Sequence, residues 1–129
     1  MEKNFQKVKN YLLDLEYSIV QESEADGTFT ISKEEEGIKN MVIACADPIL
    51  IMEQPLFSLK NGTVAVYKEL LKKNREIVHG AFALDDADRV LFRDTLQIEN
   101  LDLNELEGSL NSLSILLSEY GQQLVEFAK

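Results

Sequence analysis

A single cysteine in 129 residues excludes an internal disulfide, so burial rather than a covalent staple must hold the chain together. That residue, Cys45, lies inside the apolar run Met41-Val-Ile-Ala-Cys, where a buried, inert thiol in a reducing cytoplasm is expected. No apolar stretch approaches the roughly 20 residues needed to span a bilayer. The opening Met1-Glu-Lys-Asn-Phe lacks the basic cap and apolar core of a secretory leader, so none is expected. Two prolines and six glycines form no low-complexity stretch and no linker, and no internal repeat is visible. One domain spanning residues 1–129 is expected, long enough to bury roughly two-thirds of its unfolded surface.

Positive charge is also scarce. Thirteen basic residues face 23 acidic ones, a net charge of −10, which repels nucleic-acid phosphates. Residues 1–59 carry five basic and eleven acidic side chains, and residues 80–129 carry three and ten. Only residues 60–79 reverse the sign, with five basic and two acidic side chains. Lys68, Lys72, Lys73 and Arg75 form this island, where cations near a helix C-terminus complement the helix dipole. An acidic ligand site at Lys68, Lys72 and Arg75 is the alternative explanation.

The chemistry of an enzyme is missing. The one histidine, His79, stands beside Gly80 at an expected helix end, where a capping or surface role fits it. Ser112 and Ser114 have no evident base partner, and no glycine motif for cradling phosphate occurs. Asp85, Asp86 and Asp88 lack the spacing, glycine and closing glutamate of a calcium loop, so a solvated turn is expected. No metal site, cofactor or catalytic residue is expected.

What is present is periodicity. Leu103, Leu106, Leu110, Leu113, Leu117, Tyr120, Leu124 and Phe127 recur at steps of three and four, predicting one helix of about six turns. Asp102, with Glu105 three residues on, resembles a capping box that starts it. A first helix is predicted from about Asn4 to Leu15, with Phe5, Val8, Leu12 and Leu15 on one face. A second is expected to open at Asn61-Gly62 and stop near His79-Gly80, with Val66, Tyr67, Leu70 and Leu71 as its apolar side.

Between these helices lie strands. Thr28 to Ser32 alternates, pointing Phe29 and Ile31 inward, and its place after a polar turn suggests a sheet edge. Ile38 to Ala46 and Pro48 to Ile51 are expected at the sheet centre. Ile38, Val42 and Ala44 would form one face and Met41, Ile43 and Cys45 the other, so cover on both faces is predicted. Pro55 should bend the strand, which resumes at Leu56. Gly80 to Leu84 and Arg89 to Ile98 complete a hairpin, in which Asp94 shares a face with Val90, Phe92 and Leu96 and needs Arg89, Arg93 or a backbone donor unless it reaches water. The order is helix, three strands, helix, two strands, helix: an α+β fold, its antiparallel sheet layered with helices.

Several stretches carry a family resemblance: Asp47-Pro-Ile-Leu-Ile-Met-Glu-Gln, Tyr67-Lys-Glu-Leu-Leu-Lys-Lys-Asn-Arg, Val78-His-Gly-Ala-Phe-Ala-Leu-Asp, Leu91-Phe-Arg-Asp-Thr-Leu and Leu103-Asn-Glu-Leu-Glu. Together they resemble the YbjN family, often labelled Tir-chaperone-like and similar in fold to type III secretion chaperones. The resemblance implies a small, acidic, cytoplasmic, usually dimeric protein that holds an extended stretch of another protein without ATP. The expected function is therefore a non-enzymatic protein-binding module, chaperone-like or adaptor-like. Phe29 and Ile31 are its candidate partner contacts, and Val66, Tyr67, Leu70 and Leu71 its candidate dimer interface. The alternative is a regulatory domain binding a small or acidic ligand near Lys68, Lys72 and Arg75.

Overall fold

The computed structural model describes residues 2–59 and 64–128. Helix α1 (Glu2–Asp14) leads into strands β1 (Ser18–Ser23) and β2 (Thr28–Lys33), a 3-10 turn (Glu34–Glu36), β3 (Ile38–Ala46) and β4 (Ile49–Ser58). Helix α2 (Val64–Asn74), strands β5 (Ala81–Leu84) and β6 (Arg89–Gln97), and helix α3 (Leu103–Ala128) follow. The six strands form one sheet in the order β1-β2-β3-β4-β6-β5, antiparallel at every junction. The α+β architecture is as expected, with β3 and β4 at its centre and one additional strand, β1.

β1 carries little pattern to find. Its side chains are mostly exposed, its register with β2 shifts between Ile19 and Gln21, and Val20 points to solvent. Because β1 occupies the edge, β2 does not. Phe29 and Ile31 are fully buried between two neighbouring strands, with the Phe5 ring stacked on Phe29 at 4.3 Å. The edge placement of Thr28–Ser32 is thereby corrected: an alternating apolar strand next to the first helix serves the core.

One row across the sheet shows how the layers form. Phe29, Ile43, Met52 and Asp94 are successive cross-strand partners on β2, β3, β4 and β6, and all face the helices. α1 seats Phe5, Val8 and Leu12 on this side, and α3 buries Leu106, Leu110, Leu113 and Leu116. The opposite face carries no helix and is largely exposed, contrary to the expectation of cover on both, with Leu91 buried on it as an exception. Asn40 adopts a left-handed φ of 52° and the β2–β3 register shifts there, which turns Ile38 to the same side as Met41, Ile43 and Cys45. Val42, 41% exposed, remains on the open face beside Thr30 and the Glu53–Arg93 ion pair. β-branched and small residues suit such a surface without a covering layer.

Local chemistry explains the irregular points. Past Pro55 the β4–β6 register shifts by one residue before Phe57 pairs with Val90, the bend the proline predicts. Where β3 and β4 part, the buried Gln54 amide donates to the Gly37 carbonyl and accepts the Lys39 N–H, both at 3.1 Å. A buried amide is tolerated only with such partners. Asp102 Oδ1 accepts the Glu105 N–H at 2.7 Å and caps α3 as expected. The expected helix start at Asn61-Gly62 lies outside the described residues.

Candidate protein-binding surface

Helix α2 ends at Asn74, five residues before the expected stop at His79. The cause is the Asn74 side chain, whose Oδ1 accepts the Phe82 N–H at 2.7 Å while its Nδ2 donates to the Phe82 carbonyl at 3.1 Å. That amide substitutes for a strand partner and ties the end of α2 to β5. Residues 75–80 then form a connecting segment. Gly80 is required there twice over: its φ is +84°, and a Cβ would sit 2.5 Å from the Phe92 ring. His79 is exposed on this segment, and its carbonyl accepts the Ser112 hydroxyl at 2.6 Å, fastening the segment to α3.

α2 divides its apolar residues between two tasks. Leu70 is buried and Val66 is half-buried against the core, so both contribute less exposed surface than the rest of the expected interface. Tyr67 and Leu71 point outward, and Leu71 is 68% exposed. Together with Leu70, Phe82, Leu84 and Val90 they line a shallow apolar groove of about 160 Å³ between α2 and β5. β5 is the sheet's other edge, and on its outer side the Phe82 N–H and carbonyl are already taken by the Asn74 amide.

A second groove, about 200 Å³, lies between the 76–79 segment and α3, lined by Ile77, Val78, Ile115, Leu116, Glu76 and Glu119 among others. Tyr120 also lines it and donates its hydroxyl to Glu76 at 3.0 Å. That hydrogen bond, with burial and the charges of Glu76 and Glu119, pushes the Tyr120 pKa above its usual value. Tyr67 and Tyr120 thus belong to different grooves and close no common pocket.

The basic island is dispersed. Lys73 turns inward, its Nζ 4.8 Å from the Tyr120 ring centre and 3.9 Å from Glu69. Lys68, Lys72 and Arg75 stand exposed along one side of α2 and the turn after it, and Lys72 lies 3.9 Å from Glu69. They line neither groove.

Other candidates resolve into structural roles. Asp94 meets neither arginine: it accepts the Ser109 hydroxyl and, at 2.8 Å, the Thr95 N–H, anchoring α3 to the sheet. Arg93 instead pairs with Glu53 on the open face. Asp85 organises its turn, accepting N–H groups of Ala87 and Arg89 at 2.9 Å and the Arg89 guanidinium at 2.7 Å. Cys45 is buried, which pushes its thiol up to about 11, far from a reactive thiolate at neutral pH. Among the described residues, no group of three or more His, Cys, Asp or Glu could hold a metal ion, and no helix is long and apolar enough to cross a membrane.

The Asn74 and Gly80 anchors were not readable beforehand, because their partner Phe82 and neighbour Phe92 are fixed only by the finished sheet. The groove between the 76–79 segment and α3 carried no separate signal, because Ile77 and Val78 follow Leu70 and Leu71 by seven residues each and so continue the helical pattern expected to reach His79.

Comparison with known proteins places this geometry. The crystal structure of YbjN from E. coli superposes with a TM-score of 0.73 at 13% identity, covering 93% of this chain and 92% of that one. The HopA1–SchA chaperone–effector complex gives a TM-score of 0.67 at 14% identity, covering 93% of this chain and 96% of that one. The ExoU–SpcU complex from the type III secretion system of Pseudomonas aeruginosa gives 0.62 at 16% identity, covering 95% and 98%. At these identities the likeness establishes the fold, that of type III secretion chaperones. No curated protein matches the chain in sequence. The family model CesT_Tir_1 matches residues 1–129, and the chain belongs to that family.

Proposed function

We propose that this chain is a cytoplasmic, chaperone-like or adaptor-like module that works as a homodimer and holds an apolar segment of a partner protein without ATP. Family and fold are of the chaperone type, a class of binding proteins rather than catalysts. The observation that carries the proposal is where apolar surface is exposed. Of the ten exposed large apolar side chains among the described residues, six lie on α2, the segment after it, β5 and the adjoining turn of α3: Val64, Tyr67, Leu71, Val78, Leu84 and Ile115. Scattered single residues need no partner, but a concentration beside two grooves supports a surface that another protein covers.

The dimer is proposed to form through the α2–β5 groove, with Tyr67 and Leu71 of each copy meeting across a two-fold axis. Partner capture would use the remaining exposed apolar surface, since apolar burial needs no nucleotide. Native co-purification followed by mass spectrometry tests the reading. A recurrent protein partner, retained when nucleotide is removed, is the expected result. A co-purifying metabolite with no protein partner would overturn it.

A further inference from the structure

We propose that the groove between the 76–79 segment and α3 takes a cationic, apolar stretch of a partner polypeptide, with a lysine or arginine seated between Glu76 and Glu119. This names the partner chemistry for the protein-binding reading above and rests on it. Val78 is 86% exposed, the highest value among the large apolar side chains described, and Ile115, at 58%, lines the same groove. Among the described residues, neither is covered. Ile77 and Leu116 continue the apolar wall inward.

The polar rim sets the sign of the ligand. Glu119 has no ion pair among the described residues, and Glu76 has the neutral Tyr120 hydroxyl as its hydrogen-bond partner. Both residues line this one groove, together with the Tyr120 that Glu76 accepts from. Lys73 is buried against the Tyr120 ring and lies 3.9 Å from Glu69, and neither it nor the exposed Arg75 is among the residues lining the groove. His79 is the other ionisable lining residue, and its exposed ring lies beside Gly108. An apolar wall under two carboxylates matches side chains with an apolar stem and a cationic head. Because the chain's net charge is −10, it would also draw a cationic segment in from a distance.

Fluorescence anisotropy with a labelled peptide of alternating leucine and lysine tests this, beside matched peptides bearing glutamine or glutamate in place of lysine. Val78→Asp and Glu119→Lys alter the groove, while Glu24→Lys makes the same charge change at the exposed β1–β2 turn. All three sites are exposed, and circular dichroism checks that each variant is folded. The lysine peptide should bind, and the other two should bind about tenfold more weakly or less. Val78→Asp and Glu119→Lys should each weaken the lysine peptide about tenfold, and Glu24→Lys less than about twofold. Absence of binding, equal binding of the three peptides, or equal effects of Glu24→Lys and Glu119→Lys would each overturn the proposal. So would dissociation of a wild-type dimer by Val78→Asp, which would assign the groove to a second copy. The wider reading survives any of these results if a protein partner still co-purifies with the wild-type chain, and falls if none does.

Discussion

The sheet beneath α1 and α3 and the surface built from α2, β5 and residues 75–80 are both rich in apolar side chains, yet they handle them in opposite ways. Beneath the helices Phe29, Ile31, Met41, Ile43, Leu50, Met52 and Phe92 are shielded from water almost completely. Around α2, helix and strand meet through one buried leucine and a side-chain amide, and Tyr67, Leu71, Val78 and Leu84 stay wet. Burial of the first set stabilises the chain by about 1.5–3 kcal/mol for each large side chain. The second set contributes little to the isolated chain and becomes useful only when something covers it. On the proposed reading, stability and binding fall to different residues.

Substitutions should separate the two regions sharply. Phe29→Asp would bury a charge with no partner under the Phe5 ring, and loss of the folded state by circular dichroism is expected. A folded variant would show that the interior yields more than its packing implies. Leu113→Ala, at a fully buried position on α3, should cost about 2–5 kcal/mol in chemical denaturation. Ser109→Ala removes the hydroxyl that Asp94 and the half-exposed end of its row depend on, and should cost about 1–3 kcal/mol. A neutral result there would mean that water replaces the bond and that α3 is anchored by leucines alone.

The smallest expected effect lies on the exterior and depends on pH. The Arg89 N–H first, and then the Arg89 guanidinium and Ala87 N–H, hold the Asp85 carboxyl below its usual value. A depressed folded pKa stabilises the fold above the unfolded value, about 3.9, and that contribution disappears as pH falls through the folded one. Asp85→Asn should therefore lower Tm slightly at pH 7 and make no difference in strong acid. A carboxyl titration by NMR with a midpoint at or above 3.9 would contradict the turn geometry.

The contrast between the regions also accounts for what could be foreseen. α1, α3 and β2 carry their burial in their own periodicity, and the Asp102 cap is a local signal four residues long. Hence three helices and an antiparallel sheet were legible. β1 was not, because its only apolar residues, Ile19 and Val20, are adjacent and so show no alternation among Ser, Gln and Glu. The open face escaped notice for a related reason: Val42 and Ala44 look like core, and the twist at Asn40 that separates them from Ile38 depends on pairing with β2. The end of α2 was misjudged because Asn74 finds its partner on β5. For the binding surface, α2 showed that it had apolar residues, but which of them turn inward was decided by the sheet beneath.

The division between a stabilising interior and a binding exterior is tested most directly by the mass of the particle in solution. Light scattering on the wild-type chain and on Leu71→Asp, at about 50 µM where even weak interfaces are populated, makes the comparison. A dimer for the wild type and a monomer for the variant are expected, with stability changed by no more than about 0.5 kcal/mol. A wild-type monomer, or a dimer that Leu71→Asp leaves intact, would contradict the assignment of this surface to protein binding between copies.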